Sequence, residues 1–205
     1  VIAMPRHQNE SSAPTHLLTI EEYLALGEPA AGYTELQEGR LLVSPSHSYS
    51  HMNVALELRD QLKRHLPRNL RACIDLDIDL GLSPSDAPGH SRRPDLFIHQ
   101  RAAAKRVVKD GGLIHAHEIT VVVEVVSPGP VRMDRVIKFA EYADAGIPHY
   151  WLIDTVGGQV SLTPNRLDED GQYRRGEAVT GVFTTEDPFP LRIDLDSLMD
   201  LDDLY

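Results

Sequence analysis

Apolar and polar positions change period several times along the chain, and each change marks an element. Thr19-Ile20-Glu21-Glu22 has the spacing of a capping box ahead of Tyr23 and Leu24, so a short helix is expected, closed by Gly27, Pro29 and Gly32. Residues 33–43 read as two strands joined at Glu38-Gly39, with Pro45 and Ser46 ending the hairpin. From Tyr49 to about His65 the apolar positions Met52, Val54, Ala55, Leu58, Leu62 and Leu66 recur at helical spacing. Residues 74–80 alternate strictly, which predicts a half-buried strand with Asp75, Asp77 and Asp79 as a carboxylate comb on its wet face.

A polar loop from Ser83 to Ser91 leads to a short strand over 92–98, and Arg101 to Lys109 reads as a basic helix. Residues 119–126 form the most hydrophobic strand, expected at the centre of a sheet. A helix from Arg132 to Ala145 follows, ended by Gly146 and Pro148, and then a strand over 149–154. Strand, crossover helix and strand predict a parallel pair within a mixed sheet, hence an α/β fold. Residues 159–205 read as short strands and turns with an acidic tail.

Glu124 is out of place in its apolar run. An unpaired carboxylate is costly to bury, so it meets a cation or a metal, or it faces a cleft or solvent. Asp95 follows Pro94 and opens the short strand Leu96-Phe97-Ile98. Pro-Asp alone is a common turn dipeptide. Two strand carboxylates side by side, however, make a hard-oxygen site for Mg²⁺ or Mn²⁺, which can activate water and stabilise charge on a phosphoryl group. Asp134 and Lys138 lie at i and i+4 on the next helix. They form either a surface ion pair worth about 0.3–0.5 kcal/mol or an arrangement in which Lys138 turns back to the strand end, to position water or neutralise a phosphate.

Jointly, Pro94-Asp95, the long spacer, Glu124-Val125-Val126-Ser127-Pro128 and Asp134-Arg135-Val136-Ile137-Lys138 resemble the Uma2-type (DUF820) branch of the PD-(D/E)XK nuclease superfamily. Tyr142, Gly146, the run from Tyr150 to Asp154, and Glu35 with Glu38-Gly39 extend the resemblance from about Thr19 to Leu191-Arg192-Ile193. It implies a restriction-endonuclease-like α/β fold, a mixed β-sheet core flanked by helices. Residues 1–16 would be a flexible N-terminal segment and 17–205 a single domain. It also implies Mg²⁺-dependent hydrolysis of DNA phosphodiester bonds, with Mn²⁺ as a possible substitute, and a homodimer.

Carried onto this chain, the resemblance makes Asp95 and Glu124 the metal carboxylates and Glu35 a further acidic metal ligand. The superfamily's commonest pattern has a lysine two residues after the second carboxylate. Val126 stands there, and Lys138 from the following helix matches the branch's substitute. His51 matches an accessory position near Glu35, contacting phosphate or water, or else it is a helix-start histidine with a local hydrogen bond. The competing reading is a nuclease-fold protein with weak or no catalysis that serves as a binding or assembly module. Val126 favours it.

Other chemistries find less support. His47 and His51 are four apart and His115 and His117 two apart, but neither pair carries HExxH, so a zinc hydrolase is not expected. Ser127 lacks the G-x-S-x-G frame, and neither a P-loop nor a dinucleotide fingerprint is present. Tyr150 and Trp151 read as core rather than base-stacking residues. The single cysteine, Cys73, excludes an internal disulfide framework. No apolar run approaches the ~20 residues of a membrane span, and residues 1–16 lack a signal-peptide core, so a cytoplasmic location is expected.

A net charge of −11 argues against non-specific nucleic-acid binding. Its distribution is uneven. Residues 186–205 carry seven acidic groups against Arg192, whereas 92–109 carry six Lys and Arg against Asp95, and 59–71 carry five against Asp60. Both basic stretches adjoin the expected site, where phosphates need contacts, which leaves DNA binding weak and salt-sensitive rather than excluded.

Overall fold

The computed structural model describes residues 14–29, 32–44, 46–126 and 132–199, the side chains of 132–135 excepted. Residues 1–13 of the expected N-terminal segment, Ser127-Pro128-Gly129 and the Asp134 side chain therefore lie outside the description. Helix α1 (Ile20–Leu26) begins at Thr19, whose hydroxyl accepts from the Glu22 N–H while the Glu22 carboxylate accepts from the Thr19 N–H. This is the capping box expected from the sequence. Strands β1 (Tyr33–Gln37) and β2 (Arg40–Ser44) form the antiparallel hairpin, turned by Glu38 and Gly39 at φ 48° and 74°. A side chain at Gly39 would also bring its Cβ to 2.9 Å from the Leu18 backbone nitrogen, so glycine is required there twice over.

After α2 (Tyr49–Leu62) come β3 (Leu70–Ile74), β4 (Ile78–Asp79), β5 (Ser91–Arg92) and β6 (Leu96–Gln100). Helix α3 (Arg101–Asp110), β7 (Ile114–His115), β8 (Ile119–Val126), α4 (Arg132–Asp144) and β9 (His149–Asp154) follow. The chain then runs through β10 (Ser161–Leu167), β11 (Tyr173–Arg175), β12 (Val179–Thr180), β13 (Val182–Thr185) and β14 (Leu191–Asp194). The larger sheet has the order β11-β10-β9-β8-β6-β3, with β12 on β10; a second has the order β2-β1-β5-β4-β7, and β13 pairs with β14. Strands β8 and β9 are parallel, Val121 opposite His149, and β6 runs antiparallel to β8. The α/β class and the central position of 119–126 follow the hydrophobic pattern.

The period of two divides the larger sheet into two cores. Leu96, Ile98, Val121, Val123, Val125, Trp151 and Ile153 pack with Val54, Leu58 and Leu62 of α2. Phe97, Val122 and Tyr150 face the other way, against Tyr142 and Ala143 of α4 and Ala103 of α3. Trp151 and Tyr150 are 1% and 2% exposed, so both are core residues. No helix among the described residues is long and apolar enough to cross a membrane.

One expected strand is broken. Residues 74–80 divide between the sheets because Asp75 takes a left-handed conformation, φ 50°, between β3 and β4. The comb does not share a wet face. Asp77 accepts from Nε and Nη2 of Arg93 and from the Tyr23 hydroxyl, and Asp79 accepts from the Gly81 N–H and contacts His115. Individual partners for these carboxylates override the alternation. The strand expected over 92–98 divides in the same way, Arg92 ending β5 in one sheet and Leu96 opening β6 in the other.

Candidate active site

Asp95 immediately precedes β6, and the β6–β8 register pairs Leu96 with Val123, so Asp95 and Glu124 sit side by side on neighbouring strands. The Val125 N–H donates to Asp95 Oδ2 at 2.6 Å and fixes the carboxylate. Glu124 has the parity of Val122 and therefore projects towards α4. There Lys138 and Tyr142, one turn apart, present the same helix face. The Tyr142 hydroxyl donates to Glu124 Oε1 at 2.7 Å, and Lys138 Nζ lies 3.4 Å from the same oxygen. Lys138 Nζ also lies 3.0 Å from Oε1 of Glu35, in the middle of β1.

Glu35 is saturated. Arg92 Nη1 donates to its Oε2, and the Arg93 N–H donates to its Oε1, each at 3.0 Å. Arg92 is in turn held by two hydrogen bonds to Glu141 of α4, 2.6 and 2.9 Å. Burial raises the Glu35 carboxyl, but Lys138, Arg92 and the Arg93 N–H outweigh it and hold it below the usual carboxylate range. Glu124 behaves in the opposite sense. Burial, with Asp95 and Glu35 adding to it and Lys138 opposing, pushes it up to about 8. Two glutamates sharing one lysine thus have opposite charge preferences, because among the described residues only Glu35 has arginine as a second cation.

On the other side of Asp95, His51 in the first turn of α2 places Nε2 2.8 Å from Oδ1, and His47 Nε2 lies 3.6 Å from the same oxygen. The two rings stack at 4.2 Å, and His47 also stacks on Tyr33 at 5.1 Å. Ser48 caps α2 by accepting from the His51 N–H, which sets the approach of both histidines. Burial holds His47 below the ordinary imidazole range, with Asp95 opposing. His47 Nε2 is buried and has no hydrogen-bond partner among the described residues, an arrangement that suits a ligand atom for a cation.

All five residues singled out in the sequence, Glu35, Asp95, Glu124, Lys138 and His51, therefore border one buried cluster. His47 joins them. Its spacing from His51 was visible, but it precedes the helix, so helical periodicity could not put the two rings together. Arg92 and Arg93, counted among the basic residues near the site, are instead taken up by Glu35, Glu141, Asp77 and Glu28. Arg101, Lys105 and Lys109 on α3 remain exposed.

The family model for Uma2, described as "Putative restriction endonuclease", matches residues 20–196. The chain belongs to the Uma2 family. A crystal structure of a protein from Anabaena variabilis, titled a putative nuclease belonging to DUF820, superposes on this Uma2 chain with a TM-score of 0.62 at 19% identity. The match covers 89% of this chain and 97% of the other, which establishes the shared fold. No curated protein matches. The restriction-endonuclease-like architecture is thus common to family and neighbour, a fold in which divalent cations are generally used.

The raised Glu124 carboxyl has a measurable consequence for the metal-free Uma2 chain. A folded-state pKa near 8 against an ordinary 4.5 means that the native state binds this proton more tightly. Its contribution is complete below about pH 4.5 and is lost as pH rises through 8, with a slope of at most about 1.4 kcal/mol per pH unit. Glu124→Gln should remove that fall. His47, His99 and His149, lowered by burial, titrate with the opposite sign. The difference between wild-type and variant denaturation profiles from pH 5 to 8 isolates Glu124, and parallel profiles would refute the assignment.

Proposed function

We propose that this chain is a divalent-metal-dependent endonuclease that hydrolyses DNA phosphodiester bonds, acting in the cytoplasm as a homodimer and using Mg²⁺, with Mn²⁺ as a substitute. The supporting observation is the position of Lys138, 3.0 Å from Glu35 and 3.4 Å from Glu124. A cation from α4 thereby stands where the apolar Val126, 3% exposed, supplies none. Asp95 and Glu124 are the metal carboxylates in this reading. A divalent cation would supply Lewis acidity for the attacking water and neutralise charge at the phosphate. Lys138 orients that water or stabilises charge on the phosphoryl oxygens. Glu35, proposed from the sequence as a third metal ligand, instead positions Lys138, because both of its oxygens are already engaged. His51 steadies Asp95 from the α2 side.

The test is incubation of supercoiled plasmid with purified protein and Mg²⁺ or Mn²⁺. Nicked and linear products that vanish on chelation, and that neither Asp95→Ala nor Glu124→Ala produces, are expected. Cleavage surviving both substitutions would place the activity elsewhere. The second reading, a nuclease-fold binding module, is favoured by Val126 in the lysine position. It predicts DNA retention in a mobility shift with no product under any metal.

A further inference from the structure

We propose that His47, His51 and Asp95 bind a divalent transition metal of the Zn²⁺ and Co²⁺ class in preference to Mg²⁺. The inference goes beyond the nuclease reading and rests on it only for the ion's role: the site shares Asp95 with that reading's Mg²⁺ carboxylates but takes its other donors from His47 and His51 rather than from Glu124. The donor set is two imidazole nitrogens and one carboxylate oxygen, all within 4.8 Å of one another. Donors lying about 2.0–2.2 Å from a common ion are within about 4.4 Å of each other. Two of the three separations, 2.8 and 3.6 Å, meet that limit. The third needs a closure of a few tenths of an ångström at most.

Two further features suit a cation. Asp95 Oδ1 faces both rings while Oδ2 is held by the Val125 N–H, a backbone donor that orients the ligating oxygen. The buried His47 Nε2 has no hydrogen-bond partner among the described residues, a burial cost that coordination would remove. Tyr33 stacked on His47 fixes the plane in which that nitrogen points. Chemistry then selects the ion. Mg²⁺ demands oxygen ligands and retains its water, whereas imidazole suits borderline cations such as Zn²⁺, and at a common site Mn²⁺ binds more weakly than Co²⁺. Three protein ligands leave coordination positions open for water or a phosphate oxygen.

Equilibrium dialysis of the full chain with Zn²⁺ against a large molar excess of Mg²⁺, read by elemental analysis, tests this without any nuclease assay. One Zn²⁺ per chain is expected to remain bound, with a rise in Tm that scales with free Zn²⁺. His47→Ala should weaken Zn²⁺ binding at least about tenfold while keeping the wild-type circular dichroism spectrum. His47→Gln, closer in size, should do the same. Wild-type Zn²⁺ binding in both variants, or loss of Zn²⁺ to Mg²⁺ from the wild type, would overturn the proposal. Zn²⁺ retention with no plasmid cleavage under any metal would sink the nuclease reading and leave the site standing. Mg²⁺-dependent cleavage without Zn²⁺ retention would do the reverse.

Discussion

Lys138→Met is expected to lower plasmid cleavage on the order of 10²–10³-fold while Zn²⁺ retention stays at the wild-type level. Lys138 is 5% exposed, and methionine keeps most of its aliphatic stem, so packing is largely preserved. What disappears is the charge between Glu35 and Glu124. Glu35 retains Arg92 and the Arg93 N–H. Glu124 loses the cation that opposes its burial, and its carboxyl moves further up, away from the ionised form that a metal or a developing charge requires. Asp95→Ala should lower cleavage at least as far by another route, because it removes the oxygen shared by both histidines and takes metal binding with it. Steady-state cleavage and metal dialysis on the same two variants separate the roles. Wild-type cleavage by Lys138→Met would remove the lysine from the reaction, and metal loss in that variant would make it part of the ion site.

The carboxylates were legible in the sequence because they break a pattern. Glu124 interrupts a β-branched run and Asp95 opens a short apolar strand; each alone has an ordinary reading, and together they mark a site. Strands β1, β2, β8 and β9, the parallel pair and helices α2 and α4 were legible from their apolar spacing and turn residues, and α1 from its capping box. Charge pairing over long separations was not. Nothing local distinguishes Arg92 from an exposed phosphate contact, yet its partners are 57 and 49 residues away. The Asp75–Asp79 comb misled for a related reason. Strict alternation describes an ideal strand, but Asp77 and Asp79 find arginine, tyrosine and histidine on three other segments, and a left-handed Asp75 releases the chain to reach them. Tyr142 stood in the family resemblance without a role. Its hydroxyl gains one only when the parity of β8 turns Glu124 towards α4.

Arg92→Met should produce the largest loss of stability, about 3–5 kcal/mol, which for a chain of this length is a fall in Tm of roughly 6–20 °C. Arg92 is 1% exposed and joins β1, β5 and α4 through three hydrogen bonds to two carboxylates. A buried pair of this kind contributes little relative to a well-packed apolar substitute, but removing one partner leaves uncompensated charge: here Glu141 loses the arginine that pairs with it, and Glu35 keeps Lys138 and the Arg93 N–H. Arg92→Lys should recover only part of the loss, because an ammonium cannot reproduce the fork donated to Glu141. Adding Glu141→Gln to Arg92→Met should recover more, since it removes the carboxylate that has no second cation among the described residues. The acid limb gives an independent reading. Glu35 lies below its ordinary value of 4.5, so its contribution is present above that pH and is lost as pH falls through the lowered value. Without Arg92 the folded-state value moves back towards 4.5, the contribution shrinks, and the remaining acid loss begins at higher pH. Urea denaturation at pH 7 and at pH 4 measures both effects. A change under 0.5 kcal/mol at pH 7 would show that Lys138 and the Arg93 N–H suffice for Glu35, and that the arginine bridge does not hold the smaller sheet and α4 together at the site.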